Sequence, residues 1–308
     1  MHSDGASLEV AGLTKVFGRS RAVRAVTDLS FAVQPGRVTG FLGPNGSGKT
    51  TTLRCLLGLV APTSGRALVG GQPYRDLADP TRTVGAALEA SGFHPGRNAR
   101  NHLRVVASAA GIPDSRVDEV LAAVGLEQAA RRRAVEFSLG MRQRLALAAA
   151  LLGDPGVLIL DEPANGLDPE GIAWLRGTLR ELAAEGRTVL VSSHVLSEVQ
   201  QTVDDVVIIA QGRLVHAGPL AGLAGVGQQR VVVRSPDADR LAALLQSNDA
   251  PDRPVTVARL DDGALCVSGV TAAHVGHVAF ANGVELHELA AESDDLERVF
   301  LELTGDAQ

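Results

Sequence analysis

The chain has 308 residues, of which 45% are hydrophobic and 21% charged, and its formal net charge is −6 at a pI near 5.8. That length holds one large domain and a smaller one, with enough apolar residues for a real core. The acidic balance and the lack of a basic stripe argue against a nucleic-acid partner, and no apolar run approaches the ~20 residues of a membrane-spanning helix.

In chain order, the opening Met-His-Ser-Asp-Gly lacks the charged and apolar regions of a signal peptide. Residues 8–33 alternate apolar and polar side chains between glycines, the pattern of antiparallel strands. Residues 38–42 form a short buried strand running into Gly43, and a helix is expected over residues 50–59, stopped by Pro62. Residues 83–150 read as largely helical, apart from a strand around 83–87, with breaks at Gly92, Pro95, Gly111 and Gly125. Arg131, Arg132 and Arg133, the only compact basic run, are expected to cap a helix C-terminus. Residues 157–160 and 188–192 are buried strands flanking an amphipathic helix over 169–185, an alternation that implies a parallel sheet. Residues 206–210 and 213–217 close it as a hairpin around Gln211-Gly212.

The pattern changes at residues 222–227. Beyond it come strand 230–234, helix 237–246, strand 255–260, a turn at Asp261-Asp262-Gly263, strand 264–268, helix 271–282 and strand 284–289. That is the order of a split βαβ, ferredoxin-like module. A last amphipathic helix over 294–303 carries Leu296, Val299, Phe300 and Leu303 on one face.

Two segments carry chemistry. Gly43-Pro44-Asn45-Gly46-Ser47-Gly48-Lys49-Thr50-Thr51 follows a strand and opens a helix, which is the context a P-loop requires. Glycines let backbone N–H groups converge on phosphates, and the helix turns its positive end toward them. Lys49 would reach the β- and γ-phosphates of ATP, Thr50 would ligate Mg²⁺, and Thr51 would stand on the α-phosphate side. Lys15 and Lys49 are the only lysines beside 27 arginines, and a compact ammonium suits a crowded phosphate loop better than a guanidinium. The second segment is Val157-Leu158-Ile159-Leu160-Asp161-Glu162, an apolar strand ending in paired carboxylates. Asp161 would serve Mg²⁺ and Glu162 would polarise the attacking water.

With these motifs in place the chain resembles the ABC transporter ATPases over about residues 7–218. Phe137-Ser138-Leu139-Gly140-Met141-Arg142-Gln143 matches the signature motif that separates them from other P-loop enzymes. Asn165-Gly166-Leu167-Asp168 looks like the D-loop and His194 like the switch histidine. Phe17 stands where the family has an aromatic that stacks on adenine. The resemblance implies an α/β P-loop core spanning 1–222, with an antiparallel β subdomain and a helical subdomain inserted at about 89–150. A small α+β domain, 227–308, follows. It implies a pair of ATPase subunits, expected to be a homodimer, sandwiching two ATP molecules. Ser138 and Gly140 would then contact the γ-phosphate in trans, and His194 in cis with Glu162. A separate membrane permease is implied as partner, touching residues 89–104, and the ATPase would lie in the cytoplasm at the inner face of the membrane.

Two residues depart from the signature, Leu139 and Met141, in place of a glycine and the glutamine; Ser138 and Gly140 are kept. Glu89 stands where a Q-loop glutamine is expected, as a candidate Mg²⁺ ligand. That variant and the tail over 296–305 resemble the bacterial exporters of drugs, antibiotics and peptides. A soluble ABC ATPase acting on a non-transport partner is the alternative, although those proteins carry two cassettes or a long coiled-coil insert. A regulatory module without turnover is disfavoured by Glu162 and His194, and a P-loop kinase gives no reason for residues 138–143. Cys55 and Cys266 read as core residues rather than a disulfide. Trp174 reads as a core residue, and His274 with His277, lacking a third ligand, as a solvated helix face.

Overall fold

The computed structural model describes residues 5–18, 22–88, 92–94, 96–196, 200–223, 230–247, 255–260, 262–292, 300, 303 and 305. The chain divides into two compact units, residues 1–220 with 303–308, and residues 221–302.

The first unit begins with β1 (Leu8–Phe17) and β2 (Val23–Val33). They form an antiparallel sheet in the order β2-β1-β4, where β4 is Ser64–Val69. Sequence pattern alone overlooks β4, because Ser-Gly-Arg-Ala-Leu-Val lacks alternation and pairs with a strand far earlier in the chain, Leu8 facing Val69. The larger sheet has the order β5-β6-β7-β3-β8-β9. Its strands are β3 (Val38–Leu42), β5 (Val84–Ala87), β6 (Val157–Leu160), β7 (Thr188–Ser193), β8 (Asp205–Ala210) and β9 (Arg213–Pro219). The first five are parallel to one another. β9 returns antiparallel through Gln211 and Gly212, which both have positive φ (48° and 75°), as a tight two-residue hairpin demands.

Side chains alternate across the sheet. Val157 and Ile159 join Phe41, Leu53, Leu56, Leu8 and Val10 in one fully buried cluster between the two sheets. Each such leucine contributes about 1.5–3 kcal/mol by leaving water. In this cluster sits α1 (Lys49–Leu56), ended at Gly58 (φ 67°) rather than at Pro62, because glycine accepts the left-handed turn that stops a helix.

One helical turn, α2 (Pro80–Thr83), leads into the edge strand β5. α3 (Ala99–Ala109), α4 (Ser115–Ala123) and α5 (Leu139–Leu151) follow, with two 3₁₀ turns between α4 and α5. Most of residues 83–150 are therefore helical, but in shorter pieces than the composition suggests. Arg131, Arg132 and Arg133 follow the single 3₁₀ turn Glu127–Ala129 and cap no α-helix. Instead Arg132 lies over the Phe137 ring at 5.9 Å, and its guanidinium donates to the Glu136 carbonyl at 3.3 Å. α6 (Pro169–Ala184) starts at Asp168, whose carboxylate accepts from the Gly171 amide at 2.8 Å. Trp174 is half-buried on α6 rather than in the core. The Arg144 guanidinium lies 4.3 Å from its ring centre, and the indole lines an open cleft of about 500 Å³ between α4 and α6. Charged groups along that cleft explain why a tryptophan, apolar in body with one polar atom, stands there.

In the second unit β10 (Arg230–Arg234), α8 (Ala238–Ser247), β11 (Thr256–Arg259), β12 (Leu265–Ser268), α9 (Ala272–Ala281) and β13 (Glu288–Glu292) follow the short helix α7 (Leu220–Leu223). The sheet is antiparallel in the order β11-β12-β10-β13, the ferredoxin-like arrangement. Val231, Val233, Leu265 and Val267 pack against Leu241, Leu245, Val275 and Val278. The last strand lies a few residues later than the sequence reading placed it, because its register is set by β10, where Val232 faces Ala290. The expected helix over 294–303 falls almost entirely outside the described residues. Cys55 and Cys266 are both buried free thiols.

Candidate active site

Lys49, Thr50, Asp161, Glu162 and His194 follow the C-terminal ends of the parallel strands β3, β6 and β7, where α/β sheets bind ligands. β3 runs into the Gly43–Gly48 loop, whose two end glycines leave no room for a side chain. A Cβ at Gly43 (φ 159°) would meet the Ile209 carbonyl at 2.3 Å, and one at Gly48 (φ 105°) the Ala25 carbonyl at 2.5 Å. The loop is braced from outside, with the Gly212 amide donating to the Ser47 carbonyl at 2.9 Å and the Thr27 amide to Gly212 at 2.8 Å. Pro44, Asn45 and Gly46 are exposed. Gly48 caps α1 without a side-chain acceptor, and no acidic residue occupies the first turn that holds Lys49, Thr50 and Thr51. The helix end therefore offers free N–H groups and a partial positive charge to an anion. Ser47 is buried, and its hydroxyl has no partner among the described residues, an unmet donor facing the loop that a phosphate oxygen would satisfy.

Lys49 is 6% exposed. Its ammonium donates to the Gly43 carbonyl at 2.6 Å and the Pro44 carbonyl at 3.3 Å, and stands 3.6 Å from Glu162 Oε1. Burial pulls its pKa below the ordinary lysine value, and the charges of Glu162 and Asp161 oppose that shift. Thr50 Oγ1 donates to Asp161 Oδ2 at 2.7 Å, so two hard oxygens lie side by side. Such a pair fits an oxygen-seeking divalent cation.

At the end of β6, Glu162 occupies a left-handed backbone conformation (φ 50°), which costs a non-glycine residue roughly 1–2 kcal/mol. Its amide donates to Ser192 Oγ at 2.9 Å. Its carbonyl accepts from Gln143 Nε2 at 3.4 Å and from the Asn165 amide at 3.2 Å. Its carboxylate holds His194 Nδ1 at 2.9 Å. Ser192 is fully buried on β7, and its hydroxyl also donates to Asp161 Oδ1. One serine thus ties both carboxylates of the pair to the neighbouring strand. Neither Ser192 nor Gln143 stood out in the sequence. The available signal for Ser192 was the Ser192-Ser193 pair closing the strand after Val189-Leu190-Val191, two places before His194.

The structure brings together Lys49, Thr50, Asp161, Glu162 and His194. Ser138 and Gly140 are not part of that cluster. They line a separate open cavity of about 540 Å³ with Met141, Gly166, Leu167 and Asp168. Ser138 caps α5, accepting from the Met141 amide at 3.2 Å. Leu139 covers Gly166 so closely that a Cβ there would lie 2.1 Å from its side chain. Phe17 ends β1 and is 42% exposed. Glu89 lies outside the described residues. Among the described residues no cluster of three or more His, Cys, Asp or Glu forms a further metal site, His274 and His277 included.

The sequence profile described as "ABC transporter" matches residues 26–165, and one described as a domain of unknown function matches residues 229–297. The bacitracin transport ATP-binding protein of Bacillus licheniformis is 36% identical over 308 aligned residues, covering 97% of each chain. The chain belongs to the ABC transporter ATP-binding protein family. Its reaction is ATP hydrolysis. The Nod factor export ATP-binding protein I of Paraburkholderia xenovorans is 34% identical, again over 97% of both chains. The lantibiotic transport ATP-binding protein of Streptococcus pyogenes is 37% identical over 68% of this chain and 89% of its own. Among solved structures, an ATP-binding subunit of an ABC transporter superposes with a TM-score of 0.63 at 28% identity, over 71% of this ATPase and 92% of that chain. An ATP-binding cassette dimer bound to ADP and Pi superposes with a TM-score of 0.63 at 22% identity, over 69% and 98%, and shares the fold.

Proposed function

We propose that this ATPase powers export of an antibiotic, drug or other small molecule, working as a pair of identical subunits beneath a separate integral membrane permease. Relatives that span the whole chain are named for bacitracin transport and Nod factor export. No helix among the described residues is long and apolar enough to cross a membrane, and in this reading the permease supplies the path. The ATPase then stands in the cytoplasm at the inner face of the cell membrane. Residues 1–222 act as the motor and 227–308 as an accessory domain.

The observation that carries the chemical part is the convergence of Lys49, Thr50, Asp161, Glu162 and His194 at three adjacent strand ends. Residues 43–51 wrap the ATP phosphates with backbone amides, and Lys49 turns its ammonium to the β- and γ-oxygens. Thr50 and Asp161 hold Mg²⁺, with Glu89 as a third candidate. When bound, the ion neutralises charge on the phosphates. Glu162 accepts a hydrogen bond from the attacking water and orients it at the γ-phosphorus, while His194 fixes the carboxylate. Phe17 stacks on the base. Ser138 and Gly140 lie apart from this cluster because they serve the γ-phosphate held by the second copy.

Glu162→Gln tests the assignment. ATP binding should persist within a few-fold, hydrolysis should fall by about two orders of magnitude or more, and the ATP-loaded variant should elute as a dimer. Unchanged turnover in that variant would remove Glu162 from the reaction.

A further inference from the structure

Lys15 makes contacts that no function assigned so far requires. Its ammonium lies 4.9 Å from the centre of the Phe17 ring and donates to the Ala61 carbonyl at 2.8 Å. The surrounding backbone is tied to the same segment, since the Val16 amide donates to Thr63 Oγ1 at 3.0 Å and the Thr63 amide to the Thr14 carbonyl at 2.8 Å. Phe17 nevertheless leaves 42% of its surface to solvent. An aromatic ring with a fixed cation on it, at the open end of a strand, is a prepared platform for a second planar group.

The platform is adjacent to the phosphate loop. Phe17 pairs with Val23 across the β1–β2 ladder. Two residues further along β2, the Ala25 carbonyl closes against Gly48. Two strand residues span about 7 Å, which is the distance scale on which a nucleotide separates its base from its phosphates.

We propose that Lys15 is a positioning residue for the nucleotide base, acting through Phe17. The cation draws π density toward its own face of the ring, so the ring's other face repels the base's π cloud less. The anchor at Ala61 also holds Lys15, and with it the ring, in one orientation before ATP arrives, which lowers the entropy lost on stacking. The Lys15 ammonium contacts the Phe17 ring and the Ala61 carbonyl, so its effect is confined to ligands that carry a base. This inference rests on the reading that Phe17 stacks on the base.

The test is a double-mutant cycle, Lys15→Met and Phe17→Ala singly and together, with ATP and inorganic tripolyphosphate as probes and Lys15→Arg as the conservative control. Lys15→Met should raise the Kd for ATP three- to tenfold and leave that for tripolyphosphate within twofold. In the Phe17→Ala background the same change should alter ATP affinity less than twofold, and Lys15→Arg should restore most of the loss. An equal loss for ATP and tripolyphosphate would make Lys15 a general electrostatic or structural residue and overturn the proposal. So would an undiminished effect of Lys15→Met without the ring, or no effect in its presence. If Phe17→Ala itself leaves ATP affinity unchanged, the base-stacking reading fails first, and the cycle shows that separately.

Discussion

Ser192→Ala isolates the bracing of the two carboxylates from the carboxylates themselves. The hydroxyl is fully buried, donates to Asp161 Oδ1 and accepts the Glu162 amide at 2.9 Å. Alanine leaves that amide without an acceptor in a dry setting, at a cost of about 1–3 kcal/mol. The same bond anchors a residue in a left-handed conformation (φ 50°) whose strain of roughly 1–2 kcal/mol would relax by rotating Glu162 off its position. Misplacement of a catalytic group by about 1 Å costs on the order of a hundredfold in rate. The expected outcome for Ser192→Ala is therefore a kcat lower by ten- to a hundredfold with KM for ATP within threefold, because the phosphate loop and Lys49 are untouched. Melting should shift downward by about 2–4 °C per kcal/mol lost. Ser192→Thr, which keeps the oxygen on a β-branched side chain suited to a strand, should recover most of kcat. Steady-state turnover with MgATP, nucleotide titration and thermal melting on the three proteins supply the measurements. A kcat equal to wild type beside a lowered melting temperature would show that Ser192 serves only the fold, and the positional argument would be refuted.

His102 packs edge-on against Phe93 at 4.9 Å, and burial, with Arg97 adding to it, holds its pKa below the ordinary histidine value. The fold thus favours neutral imidazole, so stability should fall as pH drops from about 6.5 through the lowered folded value. His102→Leu should flatten that part of the melting profile between pH 7 and 5, and an identical pH slope in both proteins would contradict the argument. Truncation after Gly222 should leave a folded core that binds ATP within a few-fold, since the two units have separate apolar clusters. Complete loss of soluble expression would mean that they share one.

Short-range information carried most of the catalytic assignment. The P-loop and the carboxylate pair are each a few contiguous residues whose meaning depends on backbone conformation, so glycine, lysine, threonine and acid in order were enough to propose them, whereas His194 was singled out by the family resemblance. Glu162 is an instructive exception, because nothing in its own side chain announces a left-handed backbone. That conformation is held by Ser192, Gln143 and Asn165, and two of these come from other elements.

Periodicity likewise captured strands that are buried throughout, such as Val157–Leu160, and helices with one apolar face, such as Pro169–Ala184. It could not register β4 or the exact span of β13, whose positions are dictated by ladder partners far away in the chain. Trp174 was misjudged for a related reason, since an aromatic on an amphipathic helix looks the same whether it faces a core or a cleft beside Arg144. By itself the sequence singled out the residues proposed to hold phosphate and the carboxylates proposed to hold Mg²⁺ and orient the attacking water, because those expectations rest on residue type and local backbone. Only the tertiary structure decided that Ser192 braces both carboxylates and that Lys15 stands on Phe17. The structure also places Ser138 and Gly140 in a cavity apart from the Lys49 cluster. The Ser192 contacts and the separation of Ser138 from Lys49 lie between different elements and are set by packing and strand register, while the Lys15 ammonium is fixed from outside its own strand by the Ala61 carbonyl.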